Sequence, residues 1–417
     1  VRPELRRALD RALEGHEPSA EEGLLLATAR GDELWALARA ADEMRRRQVG
    51  EVVTYVVNRN INFTNVCIKR CSFCAFSRDY RQEEGYFLPT EEILRRVEEA
   101  VALGATEVCL QAGLAPKLEG RFYIELTAAI KERFPRLHLH AWSPEEVLYG
   151  ALRLGTSIRD YLKELLAAGL DSLPGTSAEI LDPEVRDRIA PGRIRVEQWT
   201  EVITTAHELG LPTTATIMYG HVEEPRHWVS HLQHLRDIQK GTGGFTEFVP
   251  LSLVHQEAPM HRQGLVPGAR RGPSGAEVVC MHALARLFLG PHIPNIQASW
   301  VKEGPRLAQI LLDCGANDLG GTLINESIST SAGASFGQLL PPAELRRLIR
   351  DAGRTPAQRD TRYRLLKVYG PEDEEVGELD RVTDADERFG SYRGLVASGR
   401  HRFVHPKERA TRGGASG

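Results

Sequence analysis

The chain has 417 residues, 41% of them hydrophobic, which is enough for two ordinary domains or for one α/β barrel with additions. A formal net charge of −4 gives no electrostatic reason to expect nucleic acid or an anionic membrane as a partner. No apolar run approaches the roughly 20 residues of a spanning helix, and the opening VRPELRRALDRALEG lacks the apolar stretch of a secretory signal, so a cytoplasmic protein is expected.

Residues 1–50 read as a helical extension. Leu, Ala, Glu and Arg dominate, and apolar residues recur at helical spacing in ELRRALDRALEG and DELWALARAADEMRRR. From residue 51 the rhythm changes to short β-branched runs alternating with longer amphipathic ones. Eight strands are predicted, at 52–58, 106–113, 137–142, 171–175, 213–220, 245–252, 295–299 and 316–322. The stretch 90–104 shows the helical partner of such a unit. Thr90 stands at the N-cap, Glu91 and Glu92 fall in the first turn, Ile93, Val97, Ala100 and Val101 form a stripe, and Gly104 follows as a stop. Alternating strands and helices predict parallel pairing, and eight units predict a closed (β/α)8 barrel over 51–360. An open doubly wound sheet is disfavoured because neither a phosphate loop nor GxGxxG follows any strand. A helix at 341–353 closes this region. Over residues 361–417 the pattern decays: PEDEEVGELDRVTDADE is acidic and poor in apolar residues, and the whole reads as a polar, partly disordered tail ending in ERATRGGASG.

The chain has six cysteines, and three of them fall in one loop after the first strand: Cys67, Cys71 and Cys74, spaced C-x3-C-x2-C. Cys109, Cys280 and Cys314 are scattered in apolar surroundings and read as small buried hydrophobes. In a reducing compartment a close cluster points to metal or catalysis. Structural zinc normally takes four protein ligands arriving as two pairs, and no fourth ligand lies in the loop. Three thiolates suit a four-iron cluster with one iron left open to a small molecule. The loop also sits at the C-terminal mouth of the predicted barrel, where barrel enzymes place their chemistry.

With Phe73 directly before the last cysteine, this pattern resembles the radical S-adenosylmethionine (SAM) superfamily. The stretches VNRNINFTNVCIKRCSFCAFSRD, EEGYFLPTEEI, LHLHAWSPEEV, PGTSAEIL, IMYGHVE, TGGFTEFVPLSLVHQEAPM and NDLGGTLINESIS resemble, within it, the family of the second deazaflavin-synthase subunit (CofH) over most of residues 50–360. The sister enzymes of the futalosine menaquinone pathway share much of this outline. The resemblance implies a [4Fe–4S] cluster on Cys67, Cys71 and Cys74, with SAM chelating the open iron. It implies transfer of the 4-hydroxybenzyl group of L-tyrosine to 5-amino-6-(D-ribitylamino)uracil, an electron donor, and the first synthase subunit as a partner. A different class, an iron–sulfur electron carrier or a zinc-stabilised binding protein, is the rival. A carrier would ordinarily hold its cluster with four protein ligands and would not need so large a barrel.

By the same resemblance, Gln111, Ala112 and Gly113 in LQAGL form a backbone edge for the amino end of SAM, Glu179 accepts from its ribose, and Met218, Tyr219 and Gly220 lie near adenine. Read from the residues alone, Gly113 serves a tight turn, Glu179 an exposed first helical turn and Met218 the core. His138 and His140 share one strand face, as do Asn295, Gln297 and Ser299. The histidines are either packed core groups or substrate contacts, and the polar row on strand seven suits a substrate rich in donors and acceptors. Asn325 and Glu326, with Asn317 and Asp318, form a polar set after strand eight that is either a solvated loop or a further substrate contact.

Overall fold

The structure is a computed structural model that describes residues 1–405. Strands β1 (Val52–Val56) and β2 (Asn58–Ile61) are two halves of one extended run interrupted at Val57. They are followed by β3 (Glu107–Leu110), β4 (His138–Ala141), β5 (Thr213–Tyr219), β6 (Phe245–Ser252) and β7 (Asp318–Gly321). β2, β3 and β4 pair in parallel, as do β5 with β6 and β1 with β7. Single parallel bridges complete the ring: His140 to Ser172, Leu173 to Thr213, Phe248 to Ile296, Gln297 to Asp318 and Arg59 to Ile324. Eight parallel segments therefore close on themselves, as the alternation predicts.

Two of the eight predicted strands, 171–175 and 295–299, are reduced to these bridges. Pro174 has no N–H to give a ladder, and the Gly175 N–H goes to the Thr214 hydroxyl at 2.8 Å. In the second segment the Ile296 N–H goes to the side-chain amide oxygen of Asn317 at 2.9 Å. Two details of the 90–102 helix also differ from the sequence reading. Pro89 is the N-cap and Thr90 the first helical residue, while Val101 is exposed beside the buried Ile93, Val97 and Ala100.

The N-terminal extension forms three helices, Pro3–Leu13, Ala20–Ala27 and Asp32–Val49. The third packs on the helix Gly275–Leu289, which is buried nearly all round and so needs cover on its outer side. Leu5, Leu9, Leu26, Leu37 and Met44 supply that cover and join the main core.

After the barrel, β8 (Thr355–Arg359) pairs in parallel with β1, and β9 (Leu365–Val368) returns antiparallel to it. The turn between them plugs the base of the barrel. Arg359 forms a two-pronged ion pair with buried Asp318 (2.6 and 3.1 Å), the Tyr363 hydroxyl meets Glu247, and Thr361 donates to Glu107 at 2.7 Å. The expected tail is therefore folded as far as residue 405. Tyr392 packs on Phe76 with ring centroids 5.4 Å apart, and the Phe87 N–H donates to the His401 carbonyl at 2.8 Å. Few apolar residues suffice here, because Leu379, Phe389 and Tyr392 bury themselves against a preformed surface. The terminal ERATRGGASG lies outside the described residues.

Burial holds four imidazoles neutral: His140, His207 and His282 titrate near 4 and His231 near 3. Unfolded, they take up protons near 6.5, so acid favours the unfolded chain by about 1.4 kcal/mol per pH unit for each. Burial raises the Glu146 and Glu247 carboxyls to about 7, which acts in the opposite direction between 4.5 and 7. Four groups outweigh two. The urea-unfolding midpoint is expected to fall between pH 6.5 and 4.5, and a midpoint that rises over that window contradicts this balance.

Candidate active site

A cavity of about 220 Å³ opens at the C-terminal mouth. Every strand segment of the ring contributes a residue to its wall, either at its C-terminal end or in the loop that follows. In order these are Cys67, Gln111, Glu145, Thr176, Met218, Ser252, Lys302 and Ile328. Cys71, Phe73, Cys74, Ala112, Gly113 and Glu179 line the same space.

The cysteine loop is fastened to the end of β3 by backbone bonds. The Gly113 N–H donates to the Thr64 carbonyl and the Ile68 N–H to the Leu114 carbonyl, both at 2.9 Å. A Cβ on Gly113 would lie 2.4 Å from the Val66 carbonyl oxygen and 3.1 Å from the Cβ of Cys67. Glycine is thus required for close approach, not for the turn read from the sequence. Gly113→Ala is expected to push the loop off β3, costing about 1–3 kcal/mol and lowering the iron retained per chain after anaerobic reconstitution. Normal iron content and an unchanged melting temperature would contradict it.

Arg193 is the electrostatic centre of the floor. Its guanidinium meets Glu179 at 2.7 Å, Glu145 at 3.4 Å, the Ser177 hydroxyl at 2.8 Å and the Cys71 sulfur at 3.5 Å, and it lies 5.5 Å from the Phe73 ring centre. Burial pushes the Cys71 thiol up to about 12, with Arg193 pulling the other way, and burial raises Cys67 too. Glu145 also accepts from Lys69 (3.2 Å) and the Ile194 N–H (2.8 Å). Glu146 accepts from the Ala112 N–H at 3.1 Å and caps its own helix through Ser143. Ser177 and Glu179 both have positive φ, 67° and 44°, which is strained for residues with side chains. The Met218 N–H holds the Glu179 carbonyl at 2.9 Å, and Arg186 holds that of Ser177 at 3.1 Å.

The other residues named from sequence lie away from this wall. Tyr219 is buried against Trp228, and a Cβ on Gly220 would strike Pro273. His138 and His140 do share a face, since both rings reach the Ser172 hydroxyl at 2.7 Å, but they look into the plugged base of the barrel. Gln297 donates to Glu247 there at 3.1 Å, and Asn295 to the Thr246 carbonyl at 2.9 Å. Ser299 is buried and leads the short helix Trp300–Glu303. Asn325 donates to the Phe389 and Gly390 carbonyls, and Glu326 accepts from the Ile328 and Ser329 N–H groups. Asn295 and Gln297 of the polar row are thus answered by the protein's own groups. Sequence reasoning missed Lys69, Glu145, Glu146, Arg193, Ser252 and Lys302. Position directly after a strand was the available signal for Glu145, Glu146, Ser252 and Lys302, whereas Arg193 sits in a loop with no pattern.

Three thiols on one loop, beside a cavity rimmed by all eight strands, define the mouth of a radical SAM barrel. The sequence model of the Radical SAM superfamily matches residues 61–235, and that of the CofH/MqnC C-terminal region matches 242–371. The fold is shared with the hydrogenase maturase HydG of Carboxydothermus hydrogenoformans (TM-score 0.67, 17% identity, covering 86% of this chain and 81% of that one). It is shared also with methylornithine synthase PylB (TM-score 0.61, 18% identity, 97% and 99% covered).

Among curated relatives, a 5-amino-6-(D-ribitylamino)uracil–L-tyrosine 4-hydroxyphenyl transferase of Methanopyrus kandleri is 54% identical over 350 residues, 84% of this chain and 94% of the relative. That of Methanothermobacter thermautotrophicus is 49% identical over 368 residues, 88% and 99%. The FO synthase of Mycobacterium tuberculosis is 51% identical over 345 residues, which are 83% of this chain and 40% of that longer one. The chain belongs to the radical SAM superfamily and, within it, to the family of these 4-hydroxyphenyl transferases.

Members of the superfamily use a [4Fe–4S] cluster and SAM, and the donor set here fits that group. It offers three soft sulfur donors and no fourth on the loop, next to open space. Among the described residues no group of three or more His, Cys, Asp or Glu converges on a single metal ion.

Proposed function

We infer that this chain is a radical SAM transferase that moves the 4-hydroxybenzyl group of L-tyrosine to C5 of 5-amino-6-(D-ribitylamino)uracil, a step toward a deazaflavin. The observation that carries this reading is 54% identity across 94% of a transferase so named. When bound, the cluster and SAM would supply a primary carbon radical able to take a hydrogen atom from tyrosine, so that the Cα–Cβ bond could break with the amino-acid end leaving as the imine of glyoxylate and the 4-hydroxybenzyl fragment joining C5 of the uracil, the adduct then losing one electron and one proton.

The chain's own residues bind, orient and exclude water. Cys67, Cys71 and Cys74 would hold the cluster. The Ala112 carbonyl accepts no hydrogen bond among the described residues and borders the cavity, so it is available to the SAM amino group. Arg193 is placed for the SAM carboxylate, Glu179 for its ribose hydroxyls and Met218 for its adenine. A carboxylate suits the ribose because it only accepts. Phe73, Leu251, Leu253 and Ile328 supply apolar wall, which keeps water from a reactive radical.

The longer FO synthases support a partnership with the first synthase activity, and a one-electron donor is required. Among the described residues no helix is long and apolar enough to cross a membrane.

The test is anaerobic reconstitution with iron and sulfide, then turnover with SAM, a reductant, tyrosine and the ribitylaminouracil. The expected products are 5′-deoxyadenosine and a benzylated uracil seen by mass. SAM cleavage with adduct formation only on a futalosine-type substrate would overturn the transferase reading and keep the class.

A further inference from the structure

Three cations line the mouth cavity: Lys69, Arg193 and Lys302. Lys69 is answered by Glu145 and by the Gly192 carbonyl, and Arg193 by Glu179, Glu145 and Ser177. The Lys302 ammonium makes no hydrogen bond and no ion pair with any described residue, its backbone N–H alone donating to the Ser299 carbonyl at 3.0 Å. It is carried by the short helix Trp300–Glu303, which is fixed by buried Trp300, whose ring N–H donates to the Gly321 carbonyl at 2.8 Å.

The carboxylates around Lys302 are already engaged. Glu303 takes the Ser252 hydroxyl, Glu326 takes the backbone N–H groups of Ile328 and Ser329 at 2.9–3.1 Å, and Glu179 holds Arg193. Burial lowers the Lys302 pKa, and Glu326, Glu303, Glu179 and, least, Cys74 offset this without any of them reaching ion-pair or hydrogen-bond distance. An ammonium turned into a cavity without a partner is costly unless a ligand supplies the counter-charge. Lys302 also borders a second chamber, lined by Ser252, His255, Arg271, Glu303 and Phe336, so it stands where the two spaces join.

The ligands of the reaction inferred above settle which charge is wanted. Two of them carry a carboxylate, SAM and tyrosine, while the ribitylaminouracil is uncharged. Arg193, after the fourth strand segment, lies against the cysteine loop, where SAM must sit. Lys302, after the seventh, lies beyond hydrogen-bond reach of the three cysteines. We propose that Lys302 binds the α-carboxylate of L-tyrosine and so fixes the end of the substrate from which the benzyl group departs. This assignment rests on the transferase reading.

Tyramine, which is tyrosine without its carboxylate, separates the two. In the reconstituted enzyme with SAM bound, wild type is expected to hold tyrosine about 10- to 100-fold tighter than tyramine, the range of a charged hydrogen bond. Lys302→Met should raise the tyrosine KM by a similar factor, leave tyramine inhibition unchanged, and keep iron content and SAM affinity. Lys302→Arg should retain most of the preference for tyrosine. Equal losses for tyrosine and tyramine in Lys302→Met, or an unchanged tyrosine KM, would overturn the role of Lys302 while wild-type turnover keeps the transferase reading. Wild type that forms no tyrosine-dependent product removes the transferase reading and this role together.

Discussion

A Cys71→Ser chain is expected to fold, to hold little iron after reconstitution, and to release no 5′-deoxyadenosine from SAM. The loop owes its position to backbone bonds with β3 and to Ser72, whose N–H and hydroxyl both donate to the Ile189 carbonyl, at 2.9 and 2.6 Å. None of these involves the thiol, so the polypeptide keeps its shape. What is lost is a soft donor for iron. Serine is a hard oxygen ligand with a much higher pKa, and it cannot replace a thiolate at a buried site. Two thiols do not secure a four-iron cluster that already lacks a fourth protein ligand. Cys280→Ser and Cys314→Ser are the controls, because both sulfurs sit far from the mouth, near the Leu26 and Ile310 carbonyls. Iron and sulfide per chain, with deoxyadenosine by chromatography, decide it. Full iron and undiminished SAM cleavage in Cys71→Ser would show that the loop is not the cluster site.

Arg193→Met should cost about 3 kcal/mol of stability and most of the SAM affinity. The arginine is the shared partner of Glu179 and Glu145, and removing one member of a buried charged set leaves the others uncompensated. The guanidinium also bonds Ser177, so its loss releases two residues held at positive φ. Arg193→Lys keeps the charge but not the planar fork that spans both carboxylates, so it should fall between the two. Melting temperature reads the first effect, and the SAM-induced change in the reduced cluster's paramagnetic resonance reads the second. A variant as stable as wild type with an unaltered SAM response would contradict the arrangement.

How much of this was legible beforehand varies residue by residue. Cys67, Cys71 and Cys74 announced themselves because ligands for one cluster must sit on one short loop, and short spacing is visible in a sequence. Gln111, Ala112, Gly113, Glu179 and Met218 reach the cavity because each lies at the C-terminal end of a strand segment or in the loop after it, and the alternation already located those ends. The polar row misled. His138 and His140 do lie on β4, and Asn295 and Gln297 on a segment held by single bridges, but strand periodicity gives the face and not the depth. Residues 359–363, more than 60 positions downstream of the row, fill the base and engage Asp318, Glu107 and Glu247, while the row itself bonds Ser172, the Thr246 carbonyl and Glu247.

The sequence by itself therefore determined the barrel, its strand ends and the three-cysteine loop, all of which depend on residues near one another in the chain. Only the tertiary structure decided that Arg193 lies beneath Cys71, that Lys302 faces the cavity without a partner, and that the acidic C-terminal segment folds back onto the cysteine loop through Tyr392 and Phe76. Those relations join residues separated by up to several hundred positions. Charge pairing and burial are set by proximity in space, on which local periodicity places no constraint.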